Sequence, residues 1–237
     1  MIKSKIILGI NAFHADSSAC LMINGNLISA IEEERLNRIK HYAGFPILAI
    51  KECLSIGDVN EKDITDIAVN TKPLSNLFPK GIHYLKNLSF KENFAKKRFF
   101  KKANIRKIFD KKLNLNKNIK FHFIEHHLAH IASAYYPSKF EKANGFSIDG
   151  SGDFVSFAYA KCEKNEIHIE KKNYFPHSLG IFYHAMTQFL GYKNYGDEYK
   201  IMGLAAYGQP IYFEKILTNF FKNNNQLFTL NLDFFNH

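Results

Sequence analysis

The stretch IILGINAFHADSSACLMINGNLISAIEE, residues 6–33, decides the fold. Its apolar positions form three short runs, at residues 5–13, 19–23 and 27–31. The last two are joined by Asn24-Gly25, a dipeptide suited to a two-residue hairpin turn. The reading is a buried strand, a polar loop carrying Asn11, His14 and Asp16, a second strand, a tight turn and a third strand. The same plan returns at residues 146–173, FSIDGSGDFVSFAYAKCEKNEIHIEKKN. There an apolar run at 145–148 leads into the glycine and acid loop Asp149-Gly150-Ser151-Gly152-Asp153, a strand over 154–160, a turn at Lys164-Asn165 and a further strand over 167–175. This weak internal repeat predicts an α/β protein of two related lobes.

Between the copies, residues 46–54 carry helical spacing with Pro46 in the first turn, where a missing N–H costs nothing, and Gly57 and Asp58 end the helix. Residues 64–69 and 120–124 read as short strands. The second runs straight into a helix-like segment from 126 to 136 that Pro137 stops. The expected organisation is a first lobe over 1–142 with a basic insertion at about 80–117, and the start of a second lobe over 143–237.

At 237 residues, with 46% hydrophobic and 15% aromatic side chains, the chain has enough apolar mass for a real core, which excludes disorder and the collagenous and disulfide-scaffold classes. Cys20, Cys53 and Cys162 lie far apart without CxxC spacing, so reduced thiols are expected and a thiolate metal site is not. The first apolar run, residues 6–10, is too short for a signal peptide core or a membrane span, and the expectation is a soluble cytoplasmic protein. The formal net charge is +10, and residues 80–117 alone hold thirteen Lys and Arg against Glu92 and Asp110. There Phe90, Phe94, Phe99, Phe100, Ile105, Ile108 and Phe109 interleave with the lysines, a pattern for amphipathic helices with a solvated basic face. A nucleic-acid surface has the same composition.

The most informative short stretch is EHHLAH, residues 125–130. On a helix, His126 and His130 project from one face a turn apart and can share a metal, while His127 points elsewhere. Such a pair also arises by chance or beside carboxylates, and a metal needs a third ligand. Asp149 is the best candidate. It opens the 149–153 loop, whose glycines let the backbone approach a ligand, and with two imidazoles it makes a mixed site suited to Fe(II), Zn(II) or Mn(II). The competing reading of this loop is an ordinary hairpin turn. Asn11, His14 and Asp16 cluster after the first strand, where they can serve as proton acceptor and substrate anchor. Glu32-Glu33-Glu34-Arg35, followed by Arg38, Lys40 and His41, reads either as cations near the same end or as an exposed charged connector. GDEYKIMGLAAYG, residues 196–208, favours close packing or ligand contact, but neither a GxGxxG fingerprint nor a GxxxxGK[ST] loop occurs.

Taken together, NAFHADSSACL (11–21), IEEERLNRIKHYAGFP (31–46), EHHLAHIASAYYP (125–137), IDGSGD (148–153), Ser178-Leu179-Gly180 and GDEYKIMGLAAYG (196–208) resemble the NodU/CmcH-type carbamoyltransferases, in the family's order. Members of that family act on nodulation factors, cephalosporins and aminoglycosides. The resemblance implies an actin-like ATPase (ribonuclease H-like) fold of duplicated lobes, similar to the tRNA threonylcarbamoyl transferase subunit. It also implies a C-terminal domain that makes carbamoyl adenylate from carbamoyl phosphate and ATP. By the same resemblance His126, His130 and Asp149 would be iron ligands and His14 the general base. Lys40 would contact the carbamoyl adenylate. Gly150, Ser151, Gly152, Asp153, Gly180, Lys200 and Gly203 would fall near the nucleotide. The carbamoyl group would pass to a hydroxyl of a small-molecule or sugar acceptor.

The family continues beyond residue 237, so the expectation is an incomplete second lobe, no activating domain in this stretch, and a separate chain or further segment supplying it. Two other readings compete. One is a non-catalytic nucleotide-binding module, marked by adenylate affinity without turnover. The other is a nucleic-acid protein, akin to a tRNA-modifying one, that uses the basic insertion and weakens steeply with salt. No membrane partner is expected.

Overall fold

The three runs of residues 6–33 fold as strands β1 (Ile6–Asn11), β2 (Ser18–Ile23) and β3 (Asn26–Glu32), paired antiparallel in a computed structural model that describes residues 4–86, 104–222 and 227–235. Asn24 and Gly25 both take positive φ, 51° and 87°, as the hairpin turn between β2 and β3 demands. Strand β4 (Asp66–Val69) then pairs parallel with β1, and β5 (Lys120–Phe123) parallel with β4, giving the order β3-β2-β1-β4-β5. The three-strand antiparallel meander is the one that the sequence leads one to expect, and two parallel strands extend it. Helices α1 (Glu33–Asn37) and α2 (Ile47–Ile56) connect β3 to β4, and α2 packs on β2 and β3.

The described chain divides into two compact units, Met1–Ser75 with Ile82–His126, and Asn76–Gly81 with His127–His237. In the first, Leu8, Leu21, Ile50, Cys53 and Ile67 are buried completely. Each such aliphatic side chain withdrawn from water contributes about 1.5–3 kcal/mol before the entropy of ordering is charged against it.

The basic insertion forms helices α3 (Leu77–Lys86) and α4 (Ile105–Lys112). The latter is amphipathic as expected, burying Ile105 and Phe109, whose ring meets those of Phe45 and Phe121 edge-on. Phe90, Phe94, Phe99 and Phe100 lie outside the described residues.

In the second unit, helix α5 (His126–Tyr135) is followed by a second meander, β6 (Lys142–Gly152), β7 (Val155–Glu163) and β8 (Glu166–Tyr174). Here the structure corrects the reading of residues 149–153 as a loop. Strand β6 runs on to Gly152, which pairs with Val155, and the register shift between Ile148 and Gly152 makes residues 149–151 a bulge within the strand. The turn itself is confined to Asp153 and Phe154, at φ 51° and 74°. A bulge keeps the strand paired beyond the irregularity while re-aiming its side chains, and glycines on both sides of Ser151 reduce its conformational cost.

The unit continues with α6 (Leu179–Phe189), α7 (Glu198–Ala205), α8 (Phe213–Phe220) and the short pair β9 (Phe221–Lys222) and β10 (Thr229–Leu230). All three cysteines are free, and burial is the first cause raising each thiol above its ordinary value, so they stay protonated and inert. No helix among the described residues is long and apolar enough to cross a membrane.

Candidate active site

In the first unit the site is built on two loops tied together by their backbones. After β1 the chain enters the His14 loop, where Phe13 and Asp16 both adopt φ 59°. Asn11 Nδ2 donates to the carbonyl of Asp16 at 3.1 Å, closing the loop on the strand that launches it. The second loop, after α1, runs antiparallel beside it. The Phe13 N–H donates to the Gly44 carbonyl at 3.0 Å, the Ser17 N–H to that of Tyr42 at 2.9 Å, and the Ser17 hydroxyl to Gly44 at 2.8 Å. Left-handed backbone at non-glycine residues is costly, and these bonds hold it in place.

His41 lies where the two loops meet. Its Nδ1 is 2.9 Å from Asp16 Oδ1, and its backbone N–H donates to Glu34 Oε2 at 2.8 Å. Lys40, exposed, is therefore flanked by an anchored residue. The side chains of Asp16, Glu34 and His41 offer ligand atoms within 4.8 Å of one another, but the His41 Nδ1 already has Asp16 as its partner. The His14 ring lies against that of His126, centroids 5.5 Å apart.

Within the acidic run, Glu33 departs from the exposed connector that the composition allows, while Arg35, Arg38 and Lys40 are exposed. Glu33 is 2% exposed, and its carboxylate accepts the N–H groups of Leu48 and Ala49 at 3.2 and 2.7 Å. It thus caps the N-terminus of α2, whose N-cap Pro46 contributes no side-chain bond, and the anion sits where the helix dipole favours it. Glu32 meanwhile pairs with Arg35 on the surface.

Helix α5 carries His126 and His130 on one face, a turn apart. His130 Nε2 is 3.9 Å from Asp149 Oδ2 on the β6 bulge, and His126, His130 and Asp149 each offer one ligand atom, all within 4.8 Å of one another. His127, as expected, points elsewhere. It is fully buried, with Nε2 donating to the Val155 carbonyl and Nδ1 accepting from the Ser147 hydroxyl, both at 2.8 Å. Those bonds fix the roll of α5 against β6 and β7, and hence the direction in which His130 faces.

The bulge is held from the other side by the start of α6. Ser178 caps that helix, accepting from the Ile181 N–H, and its hydroxyl donates to the Gly150 carbonyl at 2.7 Å. Gly180 lies so close that a Cβ there would sit 2.5 Å from Gly150 N and 2.6 Å from the Asp149 carbonyl carbon. Its role in the structure is thus close packing beneath Asp149. Asp149 Oδ1 accepts from the Gly150 N–H at 2.6 Å, leaving Oδ2 toward His130. Across the turn, Asn76 Nδ2 donates to the Asp153 carbonyl at 3.0 Å. Burial pushes the nearby Lys80 ammonium below the ordinary lysine value, against the opposing pull of Asp153. Lys80 is a cation near the bulge that the sequence offered only as the first residue of a basic run.

Lys200 and Gly203 stand apart from these contacts. Lys200 Nζ bonds Asp197 Oδ1 at 2.7 Å, which holds the Asp197 carboxyl below its usual range and raises the lysine. Gly203 is exposed in α7, with nothing within 4 Å of a Cβ placed there.

The chain is 34% identical to the uncharacterized protein sll1178 of Synechocystis sp. over 98% of its own length and 39% of that protein's. It is also 34% identical to the nodulation protein NolNO of Sinorhizobium fredii, over 90% of this chain and 30% of that one. The chain therefore spans about a third of the length of these curated relatives. Among solved structures, YeaZ from Pseudomonas aeruginosa matches over 73% of this chain and 68% of its own, with TM-score 0.40 and 12% identity. Residues 6–237 match the model of the family described as Carbamoyltransferase N-terminus, and the chain belongs to that family.

Proposed function

We propose that this chain is the transfer domain of a carbamoyltransferase that moves a carbamoyl group from carbamoyl adenylate to an acceptor hydroxyl. The observation that supports the reading is the set of His126, His130 and Asp149, each of which offers one ligand atom within 4.8 Å of the others. Two imidazoles and a carboxylate suit Fe(II) or another divalent ion. Ligands about 2.0–2.2 Å from a metal stand roughly 3–4 Å from one another, and the 3.9 Å between His130 Nε2 and Asp149 Oδ2 falls within that span. When bound, such a cation supplies positive charge to the phosphate of the adenylate.

The chain's own residues do the rest. His14 accepts the proton of the acceptor hydroxyl as the acceptor oxygen bonds to the carbamoyl carbon. The bond from that carbon to the phosphate oxygen breaks, and AMP leaves with the electron pair. Lys40, on its anchored loop, meets the departing phosphate charge, and the short bonds around Asp16 and His41 keep both groups in place without reorganisation. The Asp149–Asp153 bulge, packed on Gly180, offers backbone to the nucleotide. The donor is made from carbamoyl phosphate and ATP by a further segment or a separate chain. The exposed apolar side chains of α7 and the residues after it, among them Met202, Tyr207 and Ile211, offer such a partner a surface to cover.

Titration with Fe(II) or Mn(II) tests the metal assignment. One equivalent per chain is expected for the wild type, with affinity at least about 10-fold weaker in His130→Ala, and equal binding in both removes it. With carbamoyl phosphate, ATP and the remaining part of a longer relative supplied in trans, AMP release should depend on a hydroxyl acceptor and vanish in His14→Ala. No AMP release from the wild type under these conditions overturns the activity, and adenylate affinity without turnover would leave a binding module.

A further inference from the structure

A cleft of about 620 Å³ in the first unit has Phe13, Phe45 and Ile108 among its apolar lining and Lys107, Lys111 and Lys112 at its edge. Its lysines all come from α4, where Lys107 and Lys111 lie away from Ile105 and Phe109, the two residues at 0% exposure that lock the helix to the core. Lys107 and Lys111 are a like-charged i, i+4 pair, an unfavourable arrangement for a free helix, and no carboxylate among the described residues pairs with them or with Lys112. The helix dipole accounts for cations in the last turn, Lys111 and Lys112, but not for Lys107. Lys112 Nζ stands 5.9 Å from the centre of the Phe45 ring. Phe13 is the residue before His14.

The geometry points to this cleft as the seat of the acceptor's anionic end. The acceptor is a hydroxylated organic phosphate or carboxylate with an apolar body, whose ring or chain lies on the half-buried Phe13 and Ile108 while its charge meets the three ammonium groups. The assignment rests on the reading of His14, the residue that follows Phe13 in the chain, as the base. Its chemical consequence is selective. A polycationic acceptor such as an aminoglycoside is repelled from this rim, and an acidic one is drawn to it.

The experiment is calorimetric, with phenyl phosphate, inorganic phosphate and phenol as probes on the full chain and on the Lys107→Ser/Lys111→Ser double variant. Both positions lie on the cleft edge away from the core, and thermal melting of the variant confirms that it folds. Phenyl phosphate should bind the wild type more tightly than either half-molecule and lose about 10-fold or more in the variant. Equal binding by wild type and variant, or no preference for phenyl phosphate over inorganic phosphate, overturns the site. Tighter capture of a short RNA, lost in the same variant, overturns it in favour of a nucleic-acid surface. Phenyl phosphate binding should persist in His130→Ala. Failure of metal binding or AMP release with the cleft intact would therefore overturn the proposed reaction and with it the acceptor role of an anion site that still binds, whereas the reverse pattern removes the site alone.

Discussion

The two units solve the problem of burial differently. The first packs large side chains, Phe109, Leu8, Ile50 and Ile67, from both its sheet and its helices, and encloses them fully. The second closes Ile131 and Tyr135 over Ala158, Ala160 and Cys162, a thin cluster, and leaves Met202 66% and Tyr207 91% exposed beyond it. A unit that carries Asp149 on an irregular strand has less apolar area with which to offset the cost of ordering. The difference teaches that the first unit is rigid by its core, while the second is held in shape by particular close contacts, those of Ser178, Gly180 and His127.

The largest test of this contrast is Phe109→Ala. Emptying a fully enclosed aromatic site should cost about 3–5 kcal/mol in denaturant unfolding, and a loss under about 1 kcal/mol would show that the first unit's core is not what holds it.

Acid should act next, and on the first unit. Burial by itself raises the Asp66 carboxyl, but hydrogen bonds from His122, at 2.6 Å, and from Thr65, with the charge of Lys5, outweigh it and hold Asp66 below its ordinary value of 3.8. A depressed carboxyl stabilises the fold at pH above its unfolded value, and that stabilisation is lost as pH falls through the lower folded value. Asp66→Asn should therefore cost about 1.5–3 kcal/mol near neutrality and flatten the fall in stability below pH 3.8, measured by unfolding across pH. An unchanged acid profile would deny the carboxylate this role.

The smallest expected effect falls on the second unit. Gly180→Ala forces a methyl into the backbone of Asp149 and Gly150 and should cost about 1–3 kcal/mol. Because the bulge must shift, Mn(II) affinity should drop as well, while the first unit's acid profile stays as it was. A stability loss with metal affinity intact would separate the packing of Gly180 from the position of Asp149.

Much of this was legible in the sequence wherever a local period governs. The short apolar runs at 19–23 and 27–31, with Asn24-Gly25 between them, settle a hairpin because such runs bounded by turn residues read as strands and few residues tolerate positive φ. The spacing of His126 and His130 places them on one helical face for the same kind of reason. The bulge at Asp149 was not legible. Whether a strand persists past its glycines depends on the partner strand, here Val155 opposite Gly152, and not on the residues themselves.

The chain's local chemistry thus determined the repeat, the hairpins, the histidine pair and the amphipathic α4. Only the tertiary structure decided that Glu33 is buried under α2, that His41 meets Asp16 across 25 positions, and that Lys112 stands over Phe45. Each of these joins residues distant in sequence. Their convergence is set by strand register and by the crossovers between strands, which no local pattern of side chains encodes.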